Sequence, residues 1–166
     1  FEEAMTMLER ALADERARRM RILEAYSLHN VGMSYARLGN LDDGILYQRQ
    51  AARIADECGA ARLRLNARVY ETIFLVWRGA PGALGTALNL ARYLASEARS
   101  HPSLYTEAMF ALARVQLARR VLEGALEAAS EANQRLAAGP IEEWDEYIRL
   151  TMIEALFASG MNEEAD

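Results

Sequence analysis

Residues 30–55, NVGMSYARLGNLDDGILYQRQAARIA, contain two apolar helical patterns separated by a short turn. In the first pattern Val31, Gly32 and Tyr35 share one face, because residues three and four apart in a helix lie side by side. The Gly-Asn pair at 39–40 ends this pattern, since glycine terminates helices and asparagine caps the helix that follows. The stretch therefore predicts two antiparallel helices joined by a tight turn.

The composition of the 166-residue chain favours helices throughout. Apolar residues make up 52% of it and it has only three prolines, which suits a helical protein with a buried core. The formal net charge of −5 disfavours a nucleic-acid partner, so none is expected. Cys58 is the single cysteine, and neither a signal peptide nor an apolar run of membrane-spanning length is visible. We therefore expect an all-α cytoplasmic protein with no membrane partner.

The pattern of a turn followed by a small residue that opens an apolar helix recurs along the chain. The small residues follow one another at an interval of about 40 residues, with small variation from one unit to the next. They are Ala4, Gly44, Ala87, Ala125 and Ala165. A chain without internal repeats would not keep this interval. We therefore expect repeat units near residues 1–18, 19–59, 60–100, 103–138 and 140–166.

Each repeat unit is predicted to contain two helices, and the second of them begins near the small residue. This second helix carries small or apolar residues at positions that share one face. Small side chains there allow two helices to approach closely, ridge into groove. The predicted faces are Ala4, Leu8 and Ala11; Gly44, Gln48 and Ala51; Ala87, Ala91 and Leu94; and Ala125, Ala129 and Ala132. Because Ala129 lies in such a face, Ala129→Arg is predicted to unfold the array.

These features resemble the tetratricopeptide repeat over nearly the whole chain. The resemblance rests on Val31-Gly32, on Tyr35, on the turn glycines Gly39 and Gly160, and on the small residue that opens each second helix. The interval is longer than the period typical of this repeat, and the closing proline is missing. The chain is therefore most similar to the long-helix variant of large bacterial signalling and transcription regulators. HEAT repeats, which have a longer period, remain the alternative fold.

The resemblance implies an all-α superhelical array of antiparallel helix hairpins. It implies a non-catalytic scaffold for protein–protein interaction that belongs to a longer cytosolic regulator, with a protein or peptide as partner. In such arrays the first helices of successive units line a groove that binds a peptide or a helix. The groove residues implied here are Tyr26, His29, Met33, Arg37, Glu107, Phe110, Arg114, Tyr147, Glu154 and Phe157. Half of these are expected to complete packing within hairpins instead.

The register of the unit at 60–100 stays open, because its first helix is apolar on nearly all sides. The apolar residues are Val69, Tyr70, Ile73, Phe74, Val76 and Trp77. Such a helix is either buried or forms a contact. In the first helices of the other units, the groove assignment implies that the groove residues are accessible. The double substitution Met33→Glu with Phe110→Glu is therefore predicted to leave the fold intact and to abolish partner binding.

A glycine-rich stretch at 78–86, RGAPGALGT, raises the alternative of a phosphate site. It has no lysine at the position that a P-loop requires, and the preceding residues favour a helix rather than the strand of a dinucleotide-binding unit. The glycines also lie where the repeat interval predicts a turn. We therefore predict a turn with about three extra residues relative to the turn at Gly39.

No other pattern indicates catalysis, a metal or a cofactor, so none is expected. His29 and His101 are too few for zinc, and Cys58 has no evident histidine partner. The acidic residues at 142–146 suit the first turn of a helix with Trp144 packing beside it. The basic stretch at 15–21 is interpreted as a solvated helix face, with an acidic partner as the alternative.

Two other functions stay open at this point. One is a homo-oligomerisation module, in which a homodimer would form through uncovered apolar faces near Phe157 and Met161. The other is a small-ligand sensor, which would require a compact aromatic pocket around Phe74, Trp77 and Phe110.

Overall fold

The computed structural model describes residues 2–138 and 144–161, and every regular element in those ranges is a helix. The all-α prediction is confirmed for this part of the chain. The chain divides into two compact units, Phe1–Arg78 and Gly79–Asp166. The division falls at the glycine-rich stretch, inside the segment predicted as the unit at 60–100.

The first unit consists of four helices joined by short turns. They are α1 (Glu2–Ala17), α2 (Arg21–Arg37), α3 (Leu41–Glu57) and α4 (Ala61–Arg78). Each helix packs against the next along the chain, and α2 also contacts α4. Asn40 caps α3 as predicted, since its side chain accepts a hydrogen bond from the Asp43 amide.

The second unit has the same kind of packing. It contains α5 (Ala83–Glu97), a short 3-10 helix (Ala98–Ser100), α6 (Pro102–Ala118), α7 (Leu122–Ala138) and α8 (Asp145–Ala158). Helix α6 packs against α5 and α7, helix α7 packs against α8, and α6 also contacts α8. The start of the predicted unit at 140–166, residues 142–143 of the predicted acidic first turn, and the predicted helix opening at Ala165 lie outside the described residues.

Within the described ranges, five helices end in the same left-handed turn. After α2, the Asn40 amide donates to the Tyr35 carbonyl over 2.9 Å and the Gly39 amide donates to the Ala36 carbonyl over 3.0 Å. This is the Schellman arrangement, which requires a positive φ at the residue that Gly39 occupies. The same turn is built around Arg19, Gly39, Gly59, Arg120 and Gly160. The predicted roles of Gly39 and Gly160 as turn residues are confirmed, whereas no turn was predicted at Arg19 or Arg120.

The left-handed residues reveal a regular period. Gly39, Gly79, Arg120 and Gly160 all have φ between 59° and 87°. They follow one another at a nearly constant interval of about 40 residues, which is more even than the spacing of the small residues. The stretch at 78–86 contains the turn between α4 and α5, as predicted, with Gly79 and Gly82 both left-handed. The described residues therefore form a helical-repeat-like all-α fold.

Helices α2 and α3 approach each other closely where each helix carries a glycine, at Gly32 and Gly44. A Cβ atom added at Gly32 would lie 3.0 Å from the Tyr47 Cβ and 3.1 Å from the Gly44 carbonyl oxygen. A Cβ atom added at Gly44 would lie 3.0 Å from the Ala36 Cβ. All three distances are shorter than ordinary van der Waals contact, so a side chain at either glycine would press against the neighbouring helix.

The predicted small faces of α3, α5 and α7 are buried, which confirms the sequence interpretation for these helices. The buried residues are Gly44, Gln48, Ala51, Ala87, Ala91, Leu94, Ala125, Ala129 and Ala132. The prediction fails for α1, where Ala11 is exposed, Leu8 is half-buried and Leu12 enters the core instead. The side chain of Ala4 lies outside the described residues. Helix α1 packs against α2 with a different side from the one predicted.

Helix α4 contains the longest continuously buried segment in the described part of the first unit. All seven residues from Val69 to Leu75 are buried, so most of the apolar residues predicted to be buried or in contact are buried. Val76 is half-buried, and Trp77 is partly exposed. A helix that is buried on all sides contributes mainly packing.

Candidate protein-binding surfaces

The predicted groove residues divide between the two units. Tyr26, His29, Met33 and Arg37 lie on α2, in the first unit. The other six lie on α6 and α8, in the second unit: Glu107, Phe110, Arg114, Tyr147, Glu154 and Phe157. The predicted residues thus form two separate groups.

On α2, three of the four predicted residues reach solvent. Tyr26 and Arg37 are exposed, and Met33 is half-buried. Their spacing places these three residues along one side of α2. We call Tyr26, Met33 and Arg37 the α2 surface.

His29, in contrast, is a buried packing residue and is not available to a partner. The Gln48 amide donates to the His29 carbonyl over 3.0 Å, and the Gln48 Oε1 atom faces the His29 Nδ1 atom at 2.7 Å. An amide oxygen only accepts, so the Nδ1 atom carries the proton. The imidazole also packs edge-on against Tyr70, with ring centroids 5.0 Å apart. The groove assignment of His29 is corrected: this side chain holds α2, α3 and α4 together.

In the second unit, Phe110 and Glu107 are also buried rather than accessible. Phe110 is only 2% exposed and packs against Trp144, with ring centroids 5.1 Å apart. The groove assignments of Phe110 and Glu107 are therefore corrected. The predicted double variant Met33→Glu with Phe110→Glu would not leave the fold intact, because it would place a charge in this aromatic core.

Four of the predicted residues nevertheless take part in contacts between α6 and the segment that contains Trp144 and α8. Tyr147 packs against Trp144 with ring centroids 5.7 Å apart, and Trp144 in turn packs against Phe110. Arg114 on α6 forms an ion pair with Glu154 on α8, and both side chains stay partly exposed. We call Arg114, Tyr147 and Glu154 the α6–α8 surface, with Trp144 and Phe110 as its base. Phe157 is exposed further along α8.

The α6–α8 surface combines a half-exposed aromatic side chain with a pair of charges. Tyr147 keeps 49% of its area exposed although its ring is held by Trp144. A tyrosine held in this way contributes contact area to a complex at little cost in side-chain entropy. The guanidinium and carboxylate on the same surface supply hydrogen-bond donors and acceptors at fixed positions.

Sequence reasoning missed two buried carboxylates that tie helices together in the first unit. Glu24 accepts hydrogen bonds from Arg16 over 2.9 Å and from Arg21 over 2.6 Å. Glu71 accepts from Arg49 and from Arg68, each over 2.6 Å. In both cases one arginine precedes the glutamate by three positions and the other comes from the preceding helix. The sequence signal that could have indicated these ion pairs is the arginine three positions before each glutamate, since residues three apart in a helix are neighbours.

Arginines at the junction of α1 and α2 also lower the pKa values of two glutamates, Glu24 and Glu57. Burial would raise the pKa of Glu24, but the hydrogen bonds from Arg16 and Arg21 outweigh burial and hold this pKa below its usual range. Arg21 donates to Glu57 on α3 over 2.5 Å, and this bond lowers the pKa of Glu57. The stretch at 15–21, interpreted as a solvated face, thus supplies ion pairs between α1, α2 and α3.

Acid is expected to destabilise the protein through these two glutamates. Their pKa values are lower in the folded than in the unfolded chain, so their contribution is complete above the ordinary glutamate pKa of about 4.3 and is lost as the pH falls through the folded-state values. Urea unfolding between neutral and acid pH measures this loss. Glu24→Gln should lower stability at neutral pH and flatten the pH dependence. The exposed Glu127→Gln on α7 is the matched control, and an equal slope in wild type and Glu24→Gln would contradict the assignment.

Neither a metal cluster nor a membrane span is found in residues 2–138 and 144–161. No group of three or more histidine, cysteine, aspartate or glutamate side chains in these ranges is arranged to hold a metal ion. None of the helices described there combines the length and the apolar character that a membrane span requires.

Comparison with models of known protein families and with curated protein sequences gives no match. The class of protein is therefore defined by the fold alone, as a helical-repeat-like all-α protein.

Proposed function

We propose that this chain is a non-catalytic protein-interaction module of the tetratricopeptide type, and that the α6–α8 surface binds a peptide or helix of a protein partner. The fold-level support is the recurrence of left-handed turns at a nearly constant interval, together with the glycine contact between α2 and α3. The resemblance in residues 30–55 supports the same class, and it supports a role in a bacterial cytosolic regulator.

The observation that carries the proposal is the position of Tyr147. Its ring is half exposed above the buried Trp144 and Phe110, and it lies on the same side of α8 as Glu154, which pairs with Arg114. Interfaces draw most of their binding energy from a few aromatic and arginine residues of this kind. Tyr147 precedes Glu154 by two turns on the same side of α8, and the ion pair with Arg114 joins that side of α8 to α6.

The chemistry of the surface indicates what kind of peptide fits it. An apolar side chain would pack on the Tyr147 ring, and polar groups of the peptide backbone would bond to Arg114 and Glu154. The α2 surface in the first unit offers a second site of similar character, with Tyr26, Met33 and Arg37. The ligand is therefore a peptide with mixed apolar and polar contacts rather than a highly charged one.

A random peptide library displayed on phage tests the proposal, with the purified chain as bait. Selected peptides would be synthesised and their dissociation constants measured by fluorescence anisotropy. Tyr147→Ser with Arg114→Gln should weaken binding by at least about tenfold, the loss expected when an anchor of this type is truncated. Leu46→Ser, which removes an exposed apolar side chain from α3, is the matched control and should bind as wild type does.

Two outcomes would contradict the proposal. One is that no peptide is enriched over a bait-free selection. The other is that the selected peptides bind Tyr147→Ser with Arg114→Gln and wild type equally. A loss seen only with Tyr26→Ser and Met33→Ser would transfer the site to the α2 surface and overturn the assignment to α6–α8.

A further inference from the structure

Tyr147 occupies a repeat position that is exposed even where neighbouring helices are present. It precedes the left-handed residue Gly160 by the same number of residues as Tyr26 precedes Gly39. Helices α3 and α4 both contact α2, and Tyr26 still exposes 50% of its area, against 49% for Tyr147. The exposure of Tyr147 therefore belongs to its position in the repeat.

Carboxylates flank this tyrosine in the sequence. Residues 142–147 read EEWDEY, so four of these six residues are acidic. Of the four, Asp145 and Glu146 form the first turn of α8, where Glu146 is exposed and Asp145 is partly exposed. Trp144 and Tyr147, the two aromatic residues of the same segment, belong to the base and the rim of the α6–α8 surface. Negative charge is thus concentrated beside the aromatic part of this surface.

The dipole of α8 offsets only a small part of this charge. The N-terminus of a helix carries the equivalent of about half a positive elementary charge. Four carboxylates carry far more negative charge than that, although one or two would be enough to complement the dipole. The segment therefore keeps a negative charge that the helix itself does not require.

The arginines near this surface do not supply the missing positive charge. Arg114 is paired with Glu154 on the surface itself. Arg135 on α7 is paired with Glu131 over 2.6 Å and lies over the Tyr105 ring, 4.5 Å from its centroid. Arg149 on α8 follows Tyr147 by two positions, which places it on the opposite side of the helix. The positive charge is in each case taken up by another carboxylate or directed away from Tyr147.

The charge of the whole chain is distributed in the same sense. The unit Gly79–Asp166 contains 13 of the 24 aspartates and glutamates but only 7 of the 19 arginines. The unit Phe1–Arg78 contains 11 of these acidic residues and 12 arginines. The negative net charge therefore resides in the unit that carries the α6–α8 surface, and a field of this sign attracts basic ligands.

On the basis of the function proposed above, we propose that the ligand of the α6–α8 surface is a peptide in which one or two lysine or arginine residues flank an apolar side chain. The apolar side chain would pack on the Tyr147 ring. The basic side chains would pair with Asp145 and Glu146, or lie over the face of the same ring. Complementary charge of this kind accelerates association and disfavours acidic peptides.

The displayed library tests this assignment from the side of the peptide. Enriched peptides should contain more lysine and arginine than the unselected library, and less aspartate and glutamate. Replacing a basic residue of a selected peptide by glutamine should weaken binding about threefold for each charge removed. Raising the NaCl concentration from about 20 mM to about 300 mM should weaken the wild-type complex as well, because salt screens charges that are exposed to solvent.

A pair of charge-neutralising variants tests it from the side of the protein. Asp145→Asn with Glu146→Gln should weaken binding of the selected basic peptides about threefold or more and should flatten the salt dependence. Glu123→Gln with Glu127→Gln is the matched control, because it removes the same charge from exposed positions of α7 in the same unit. This control should bind as wild type does. Circular dichroism and urea unfolding check that both variants are folded.

The outcomes separate this assignment from the function on which it rests. Enriched peptides of neutral or acidic net charge, whose binding is lost in Tyr147→Ser with Arg114→Gln, would overturn the assignment and leave the proposed function standing. Equal affinity of a selected peptide and its glutamine-substituted form would overturn the assignment in the same way. A selection that enriches no peptide would overturn both.

Discussion

Gly32→Val is expected to lower the free energy of unfolding by about 3 kcal/mol, and to disrupt the first unit most, because it places a side chain where two helices touch. A Cβ atom alone at this position would lie 3.0 Å from the Tyr47 Cβ and 3.1 Å from the Gly44 carbonyl oxygen. Both neighbours belong to the body of α3 and cannot rotate away. Valine adds two methyl groups to this overlap, so α2 and α3 must separate.

The measurement is urea unfolding followed by circular dichroism. Gly85→Ala is the matched control, because a Cβ atom at Gly85 in α5 meets nothing within 4 Å. That substitution should raise stability slightly, by about 0.5 kcal/mol, since alanine loses less backbone entropy in a helix. If Gly32→Val proved as stable as wild type, the close approach of α2 and α3 would be wrong.

Ala129→Arg is expected to unfold the second unit, at a cost of about 4 kcal/mol or more. Ala129 is buried in a cluster with Ala113 on α6 and Ala155 on α8. An arginine there would bring a charge and a long side chain into a contact between three helices. Because proteins of this size are stable by only about 5–15 kcal/mol, this loss is a large fraction of the total.

Tryptophan fluorescence reports on the second unit selectively. The chain has two tryptophans, and Trp144 is buried in the second unit whereas Trp77 belongs to the first. In a Trp77→Phe background the emission of Trp144 should shift to the red in Ala129→Arg. Ala137→Arg, at an exposed position of the same helix, should leave the emission unchanged. An unshifted Trp144 in Ala129→Arg would mean that the register of α7 is wrong.

Much of the fold was predictable because it rests on local rules. Gly39 and Gly160 indicate left-handed turns, and Gly44, Ala87 and Ala125 indicate faces where helices pack closely. Arg19 and Arg120 could not be identified in this way. They occupy the same left-handed turn without being glycine, and an arginine there carries no sequence signature.

The candidate site was predictable only in part, because helical spacing shows which residues share a face but not which neighbour covers that face. Tyr147, Arg114 and Glu154 were placed on accessible faces, and they are at least partly accessible. His29 and Phe110 occupy equivalent spacing but are covered by Tyr70 and Trp144. Those contacts join residues on helices that are distant in the sequence, so the local pattern contained no information about them.

The buried carboxylates were missed for a related reason. A glutamate such as Glu24 or Glu71 is expected to be exposed to solvent, since an unpaired buried charge is too costly. Here each carboxylate is accompanied by two arginines, one of them from the preceding helix. The burial is possible only because the tertiary structure brings the second arginine into place.

The central claim is that the α6–α8 surface binds a peptide, and nuclear magnetic resonance tests it most directly. Backbone amide signals of the ¹⁵N-labelled chain would be followed during titration with a peptide selected from the displayed library. The proposal predicts that the largest shifts cluster on α6 and α8 around Arg114, Tyr147 and Glu154. Shifts confined to other helices, with these residues unaffected at saturation, would contradict it.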